Sequence, residues 1–180
     1  LPTAHYTKNN ATKDAYYWNA QLLGGEFVPN DEVDQINWLP LKKAKALLTY
    51  GHDKEMIEVA AASVKTSPFI VMRHTQAIKR AEWIVSKDGL AEVDASRPLT
   101  AVGRMQAGVL VPALAAFGIN QLHTSDSRRC RDTVGPYASA RSIAINLEPT
   151  LSEERHKANP QKAKSRVAQL AIEDEALSLC

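Results

Sequence analysis

The stretch FIVMRHTQA, residues 69–77, joins a short apolar run directly to an arginine and a histidine. The run at 69–72 has no alternating polar positions, which is typical of a strand buried on both faces of a parallel sheet. Arg73 and His74 therefore fall at the carboxyl end of that strand, where open parallel sheets place their functional sites. This pair suits phosphoryl transfer, because a neutral imidazole nitrogen attacks phosphorus while a guanidinium offsets charge on the phosphate oxygens.

From residue 69 onward the hydrophobic pattern alternates between short strands and amphipathic helices. Such alternation predicts an α/β fold with a doubly wound, mostly parallel sheet. Thr100 can cap one helix and Gly118 can end it, while Pro112 inside it predicts a kink or a split. The polar stretch 76–96 has no clear assignment. The further strands are predicted at 119–123, 143–147 and 176–180, and the helices at 100–117, 127–142 and 160–172.

Charged side chains also follow the second and third predicted strands of this region. The segment TSDSRRCRDT, residues 124–133, brings Arg128 and Arg129 to the start of a helix, where amide groups favour an anion. Glu153 and Glu154 follow the third strand and could supply an acid. Each feature alone has a plainer explanation, since the arginines could be solvated and the glutamates could only complement a helix dipole. Their occurrence at three successive strand ends favours a functional site.

With these motifs in order, residues 69–180 resemble the histidine phosphatase superfamily, whose signature is Arg-His-Gly/Thr after the first strand. The segment DASRPLTAVGRMQA at 94–107 makes the region similar to the small SixA-like branch. The resemblance implies that His74 accepts the phosphoryl group, that Arg73 and Arg129 bind it, and that Glu153 lies where the family's acid is found. A second family histidine would follow the last strand, beyond Cys180.

The first 62 residues show a different pattern. Alternation predicts a hairpin at 15–28 and a strand at 33–39, and helical spacing follows at 41–48 and 54–62. The segment YYWNAQLLGGEFVPNDEVDQINWLPLKKA, residues 16–44, resembles the closing half of a Nudix hydrolase domain, a partial α/β/α sandwich.

The resemblance to a Nudix domain implies a magnesium-dependent first part. Its signature box, whose glutamates hold Mg²⁺, is absent and would lie before Leu1. Glu32 matches a position where some Nudix enzymes carry a further metal-linked carboxylate, although a plain loop charge explains it too. The phosphatase-like part needs no cofactor. The domains are expected at 1–62 and 68–180, with a linker at 63–67.

A Nudix part followed by a SixA-like part resembles the two-domain MutT-type hydrolases. That arrangement implies cleavage of phosphoanhydride bonds in nucleoside polyphosphates, oxidised guanine nucleotides included, or in dinucleoside polyphosphates. Two alternatives stay open. One is a phosphatase acting on phosphohistidine or a small phosphorylated molecule through a phosphohistidine intermediate. The other is a non-catalytic module that binds phosphate or mediates contacts, including contacts between copies of the chain as a homo-oligomer.

Composition limits the remaining function classes. The formal charge is +2 over 180 residues, which argues against duplex nucleic acid or an anionic membrane as the main partner. No apolar run approaches the roughly 20 residues that cross a bilayer. The two cysteines, Cys130 and Cys180, form no metal-type pair or disulfide framework, so a cytoplasmic location is expected. The start at Leu1 and the stop at Cys180 inside an apolar run suggest that residues are missing at both ends.

Overall fold

The computed structural model describes residues 1–22, 24–63, 67–86, 91–173 and 176–180, with the backbone alone at 91–93. The chain divides into two compact units, Leu1–Lys65 and Thr66–Cys180.

The first unit begins with a hairpin. Strand β1 (Ala4–Lys8) pairs antiparallel with strand β2 (Ala11–Ala15). Asn9 and Asn10 join them with φ angles of 53° and 58°. Two successive positive φ angles are the geometry of a type I′ turn, which asparagine tolerates and which matches the strand twist. Two helices follow later, α1 (Leu41–Leu47) and α2 (Gly51–Ala62).

The strands predicted at 15–28 and 33–39 are wrong, because the described residues between β2 and α1 are irregular. Alternating aromatic residues form a strand when one face is buried against a partner. Here Tyr16, Trp18 and Trp38 are 63%, 68% and 75% exposed, so no burial enforces the pattern. The two predicted helices are confirmed, although α2 begins three residues earlier than expected. The described part of this unit contains no α/β/α sandwich of the Nudix type.

The second unit is built on a parallel sheet. Its strands are β3 (Phe69–Val71), β4 (Gln121–Thr124), β5 (Ile145–Leu147) and β6 (Leu177–Leu179). They lie in the order β3-β6-β4-β5, and each neighbouring pair is parallel. The predicted mostly parallel α/β sheet is confirmed. Because all strands point the same way, their carboxyl ends meet at one edge of the sheet.

The helices of the second unit connect these strands. Two short 3₁₀ helices at Ala91–Ser96 and Pro149–Leu151 complete the connections. Among the described residues, no helix is both long enough and apolar enough to span a bilayer. The α-helices are α3 (Arg80–Val85), α4 (Ala101–Ala116), α5 (Arg128–Arg141), α6 (Glu153–Ala158) and α7 (Pro160–Ala171).

Helix α4 begins and ends as the sequence predicts. The Thr100 hydroxyl accepts a hydrogen bond from the Gly103 amide at 3.0 Å, and Gly118 follows the helix with φ of 64°. Of the two alternatives predicted at Pro112, a kink or a split, the split is wrong, because the helix continues through that residue. Gly103 is packed closely, since a Cβ atom there would lie 1.9 Å from the Gln76 carbonyl oxygen. A glycine at this position therefore lets α4 approach the loop that follows β3.

The buried core lies on both sides of the sheet's central strands. One cluster joins β4 to helices α4 and α5, and the Tyr137 hydroxyl within it donates to the Ile119 carbonyl at 2.7 Å. A smaller cluster joins α7 to β6 through Leu170, Leu177 and Leu179. These two clusters fix β4 and β6, which positions the segments that follow them.

Candidate active site

His74 lies in the loop that begins where β3 ends, and its ring orientation is fixed. Its Nδ1 is 2.7 Å from the Thr75 carbonyl oxygen, an acceptor, so Nδ1 carries the proton and donates it. The other ring nitrogen, Nε2, then presents a lone pair. The Thr75 amide donates to the Thr133 hydroxyl at 3.0 Å, and that hydroxyl donates to the Arg129 carbonyl at 2.7 Å. The loop is thus tied to α5.

The surroundings of His74 keep its ring neutral. Burial is the largest effect and lowers its pKa below the ordinary 6.5, and the hydrogen bond to Thr75 opposes this shift. The positive charges of Arg129, Arg73 and Arg97 lower the pKa further. A neutral imidazole with a free Nε2 and cationic neighbours is what attack on a phosphorus atom requires.

Arg129 is a buried cation at the start of α5. It is 4% exposed, and its Nη1 donates to the Asp94 carbonyl at 2.8 Å and lies 3.2 Å from the Asp94 carboxylate. Its Nε is buried and has no hydrogen-bond partner within the described ranges. A buried guanidinium with an unpaired Nε keeps a donor and positive charge available for an anion.

Two residues that sequence analysis did not single out, Asp94 and Arg97, complete this cationic centre. Arg97 is 9% exposed, and its Nε donates to Asp94 at 2.8 Å. Burial alone would raise the pKa of Asp94, but hydrogen bonds from Arg80 and Arg97 and the charge of Arg129 lower it to about 2. Both residues belong to the motif DASRPLT at 94–100, which ends at the helix cap Thr100. An acid and an arginine directly before a helix cap are the sequence signal that could have identified them.

Glu153 lies at the edge of the same centre, in the first turn of α6 and not in a loop. Its carboxylate accepts from Arg80 at 2.6 Å and from Lys157 at 2.8 Å, and lies 4.0 Å from Arg129. The hydrogen bonds from Arg80 and Lys157 lower its pKa to about 2. A carboxyl with this pKa holds no proton at neutral pH. The predicted role of Glu153 as a proton donor therefore requires these ion pairs to open.

Arg73 and Arg128 are both exposed, and they differ in where they lie. Arg73 adjoins His74 and contributes positive charge to it. Arg128 pairs with Asp132 at 3.3 Å and lines a groove of 680 Å³ between α4 and α5, together with Arg104 and Arg131. The structure thus brings Arg73, Arg129 and His74 to one place and leaves Arg128 on another face of α5.

The first unit shows no metal site in its described part. Glu32 is exposed, and its backbone amide donates to the Asn30 side chain at 2.9 Å. Across the residues that the structure describes, no group of three or more His, Cys, Asp or Glu side chains could hold a metal ion. Glu32 alone does not fit Mg²⁺, which takes oxygen ligands in octahedral geometry. The magnesium prediction depends on ligands expected outside these residues and stays a prediction.

Family comparison agrees with the geometry of the second unit. The sequence model of the histidine phosphatase superfamily (branch 1) matches residues 69–171. The chain belongs to this superfamily. Membership supports the predicted class, a hydrolase that acts on phosphate esters. The match begins at β3 and includes no residue of the first unit, so the Nudix assignment of residues 1–62 stays a prediction.

The sequence and structural relatives of this chain match different shares of it. An 8-oxo-(d)GTP phosphatase of Mycolicibacterium smegmatis is 36% identical over 167 residues, which are 92% of this chain and 50% of that protein. The chain thus spans about half the length of this curated relative. A SixA protein from Agrobacterium tumefaciens is 18% identical over 64% of this chain and 69% of its own, with a TM-score of 0.45. The protein histidine phosphatase SixA complexed with tungstate is 19% identical over 62% and 65%, with a TM-score of 0.46.

Proposed function

We propose that the second unit is a phosphatase that acts on a small phosphorylated molecule through a phosphohistidine at His74. One observation supports this most: the Nδ1 of His74 is held by the Thr75 carbonyl at 2.7 Å, so Nε2 is the free nucleophile. Family membership supports the same class of reaction.

In this mechanism Nε2 of His74 attacks the phosphorus atom, the bond from phosphorus to the leaving oxygen breaks, and the leaving oxygen takes up a proton from water. The guanidinium groups of Arg73 and Arg129 bind the phosphoryl oxygens and offset the negative charge that develops on them. Arg97 adds positive charge from the buried side of the centre. Water then attacks the phosphorus of the phosphohistidine, which releases inorganic phosphate and restores the neutral ring.

Glu153 and Asp94 act on this centre through the arginines. Asp94 holds both Arg97 and Arg129, and Glu153 lies 4.0 Å from Arg129. These carboxylates fix the guanidinium groups before a substrate binds, which avoids reorganisation during the reaction. Proton donation by Glu153 to the leaving group requires substrate binding to open its ion pairs with both Arg80 and Lys157.

Release of inorganic phosphate from a panel of phosphate monoesters and nucleotides tests this proposal. We expect turnover that persists in EDTA, because the histidine route uses no metal ion. We expect His74→Ala to abolish it, because no other group forms the intermediate. His156→Ala is the matched control, since His156 is exposed in α6. Turnover that survives His74→Ala would contradict the proposal.

A second candidate is hydrolysis of nucleoside polyphosphates, 8-oxo-(d)GTP included, by a longer protein that carries a complete Nudix domain. The name and the 36% identity of the M. smegmatis relative support it, because a match over 92% of the chain includes most of Leu1–Lys65. In that reading a Nudix box holds Mg²⁺ and Glu32 adds a ligand. The test is hydrolysis of 8-oxo-dGTP by the longer protein. Activity that is lost in EDTA but retained in the His74→Ala variant would favour this second candidate.

A further inference from the structure

A groove between α4 and α5 carries three arginines that the reaction proposed at His74 does not use. Arg104, Arg128 and Arg131 line this groove, and its volume is 680 Å³. Pockets of about 300–1,000 Å³ are typical of sites that bind a small molecule. The described residues that line the groove include none of the cationic centre, whose Arg129 is buried. The groove is therefore a second basic surface, separate from the phosphate centre.

Two packed helices supply the walls of this groove. On α5, successive spacings of three and four residues place Arg128, Arg131 and Gly135 along one face of the helix. On α4, Arg104 and Ala107 are three residues apart and line the same groove. One buried apolar cluster includes residues of both helices, so α4 and α5 are packed against each other. The core thus sets the spacing of the two walls before any ligand binds.

The positive charge of the groove is only partly balanced by the chain itself. Nε of Arg128 lies 3.3 Å from the Asp132 carboxylate, and Nη1 of Arg104 donates to the Leu99 carbonyl at 3.1 Å. The Arg131 guanidinium makes no hydrogen bond or ion pair with the residues that the structure describes. Three arginines and one aspartate give the described lining a net charge of +2. Like charges that share a groove repel each other, so a bound anion would relieve this repulsion.

We propose that the groove between α4 and α5 binds the diphosphate or triphosphate group of a small molecule. Each guanidinium presents a planar fork of donors that matches two oxygens of a phosphate group. The groove is larger than one phosphate group, so linked phosphates are needed to reach the arginines on both walls. Linked phosphates also carry enough negative charge to offset the +2 of the lining within one small ligand.

The uncharged part of the lining leaves room for such a ligand. It consists of Ala107, Gly135 and Pro136. A Cβ atom added at Gly135 would meet no other atom within 4 Å, so the space beside that residue is open. The proposal concerns binding and includes no covalent step. It is independent of the reaction at His74, because no lining residue takes part in that reaction.

The test is an NMR titration of the 180-residue chain with methylenediphosphonate in EDTA. The P–C–P bond of this probe resists hydrolysis, and each amide signal reports its own site. We expect the Gly135 amide to shift with saturable binding, whereas the Thr75 amide reports any separate binding at the phosphate centre. The two proposals can therefore fail independently. No saturable shift at Gly135, or shifts confined to the surroundings of Thr75, would overturn the proposed groove site.

A charge variant tests whether the arginines bind the probe. We expect Arg131→Gln to raise the dissociation constant read at Gly135 at least about tenfold, because charge-assisted hydrogen bonds to the phosphate oxygens are lost. Arg141→Gln is the matched control, since Arg141 is exposed in the last turn of the same helix. Equal dissociation constants in the two variants would contradict the proposal.

A steric variant tests the same site without removing any charge. Gly135→Leu places a side chain in the open space of the groove, so we expect it to weaken binding, read at the Ala107 amide, as Arg131→Gln does. Gly108→Leu is the control, because Gly108 is exposed on α4, has equally open surroundings and does not line the groove. Far-UV circular dichroism checks that each variant is folded. Unchanged binding in a folded Gly135→Leu variant would overturn the proposal. Self-association of the chain that Arg131→Gln abolishes, without probe-induced shifts at Gly135, would instead make the groove an interface between copies and would also overturn it.

Discussion

The two units of this chain differ in how much of their sequence pattern is enforced by burial. In the second unit, apolar runs pack into two clusters on either side of β4 and β6, and side chains such as Leu122 are fully buried. In the first unit, aromatic residues such as Trp38 are mostly exposed, and the described buried apolar residues are Ala4 and Met56. A hydrophobic pattern therefore specifies structure only where the chain itself supplies the surface that buries it.

The two units also differ in whether their charged side chains are buried. The second unit buries Arg97 and Arg129 around Asp94, whereas the ion pairs described in the first unit are solvated, such as His5 with Asp14. Buried charges cost free energy unless they are paired, and Arg97 and Arg129 are both paired with Asp94. The phosphatase reaction proposed at His74 takes place beside these buried charges, in the second unit.

The largest expected effect is the loss of Arg129. We expect Arg129→Ala to lower kcat/KM for a phosphate monoester about 10²–10³-fold, because it removes the buried cation aimed at developing negative charge. Arg128→Ala is the matched control, since Arg128 is exposed on the groove between α4 and α5. Steady-state kinetics with both variants provide the measurement. Equal effects of the two substitutions would contradict the distinction drawn between the neighbouring arginines.

A stability comparison tests the difference in packing between the units. We expect Leu122→Ala to lower the free energy of unfolding by about 2–5 kcal/mol, because it leaves a cavity where the side chain is 0% exposed. Trp38→Ala should change it by about 0.5 kcal/mol or less, because Trp38 is 75% exposed. Urea unfolding followed by far-UV circular dichroism measures both. A larger loss in Trp38→Ala would show that the first unit buries this residue against something else.

Asp94→Asn tests how far the cationic centre depends on being held in place. The variant keeps an oxygen acceptor but removes the charge that pairs with Arg97 and Arg129, so we expect a loss in kcat of about tenfold. Asp132→Asn is the control, because Asp132 pairs with the exposed Arg128. An unchanged kcat and KM in Asp94→Asn would mean that the arginines are positioned without it.

The smallest expected effect is a shift in the titration of His74. Because its pKa is lowered from 6.5, the ring stays neutral as the pH falls through 6.5 and gains a proton only at lower pH. The acid limb of kcat/KM should therefore lie below pH 6.5, and NMR titration of the ring should give the same midpoint. Arg129→Gln removes a nearby positive charge and should raise that midpoint. A midpoint at or above 6.5 in the unsubstituted chain would contradict the described surroundings.

Much of the second unit could be predicted from sequence for a physical reason. Its strand β3 is a continuous apolar run, its helix α4 has a Thr100 cap and a Gly118 stop, and both signals are local. The 3₁₀ helix at Ala91–Ser96 and helix α3 could not be predicted, because the polar stretch 76–96 is held by Asp94 and Arg97 ion pairs that only the folded chain forms.

The candidate site, too, could be predicted from the sequence only in part. His74 follows β3 and Arg129 follows β4. Parallel strands bring their carboxyl ends to one edge of the sheet, so the sequence could place both residues at that edge. The ionised state of Glu153 could not be predicted, because it depends on Arg80 and Lys157 lying within hydrogen-bond distance.

The most direct test of the central claim is to trap the phosphorylated enzyme. A radiolabelled phosphate monoester would be mixed with the chain, quenched within milliseconds in alkali, where phosphohistidine survives, and the labelled peptide sequenced. We predict label on the peptide that contains His74, at a level that falls as substrate is consumed, and no label in His74→Gln. Turnover without label on that peptide, or label retained in His74→Gln, would contradict the account.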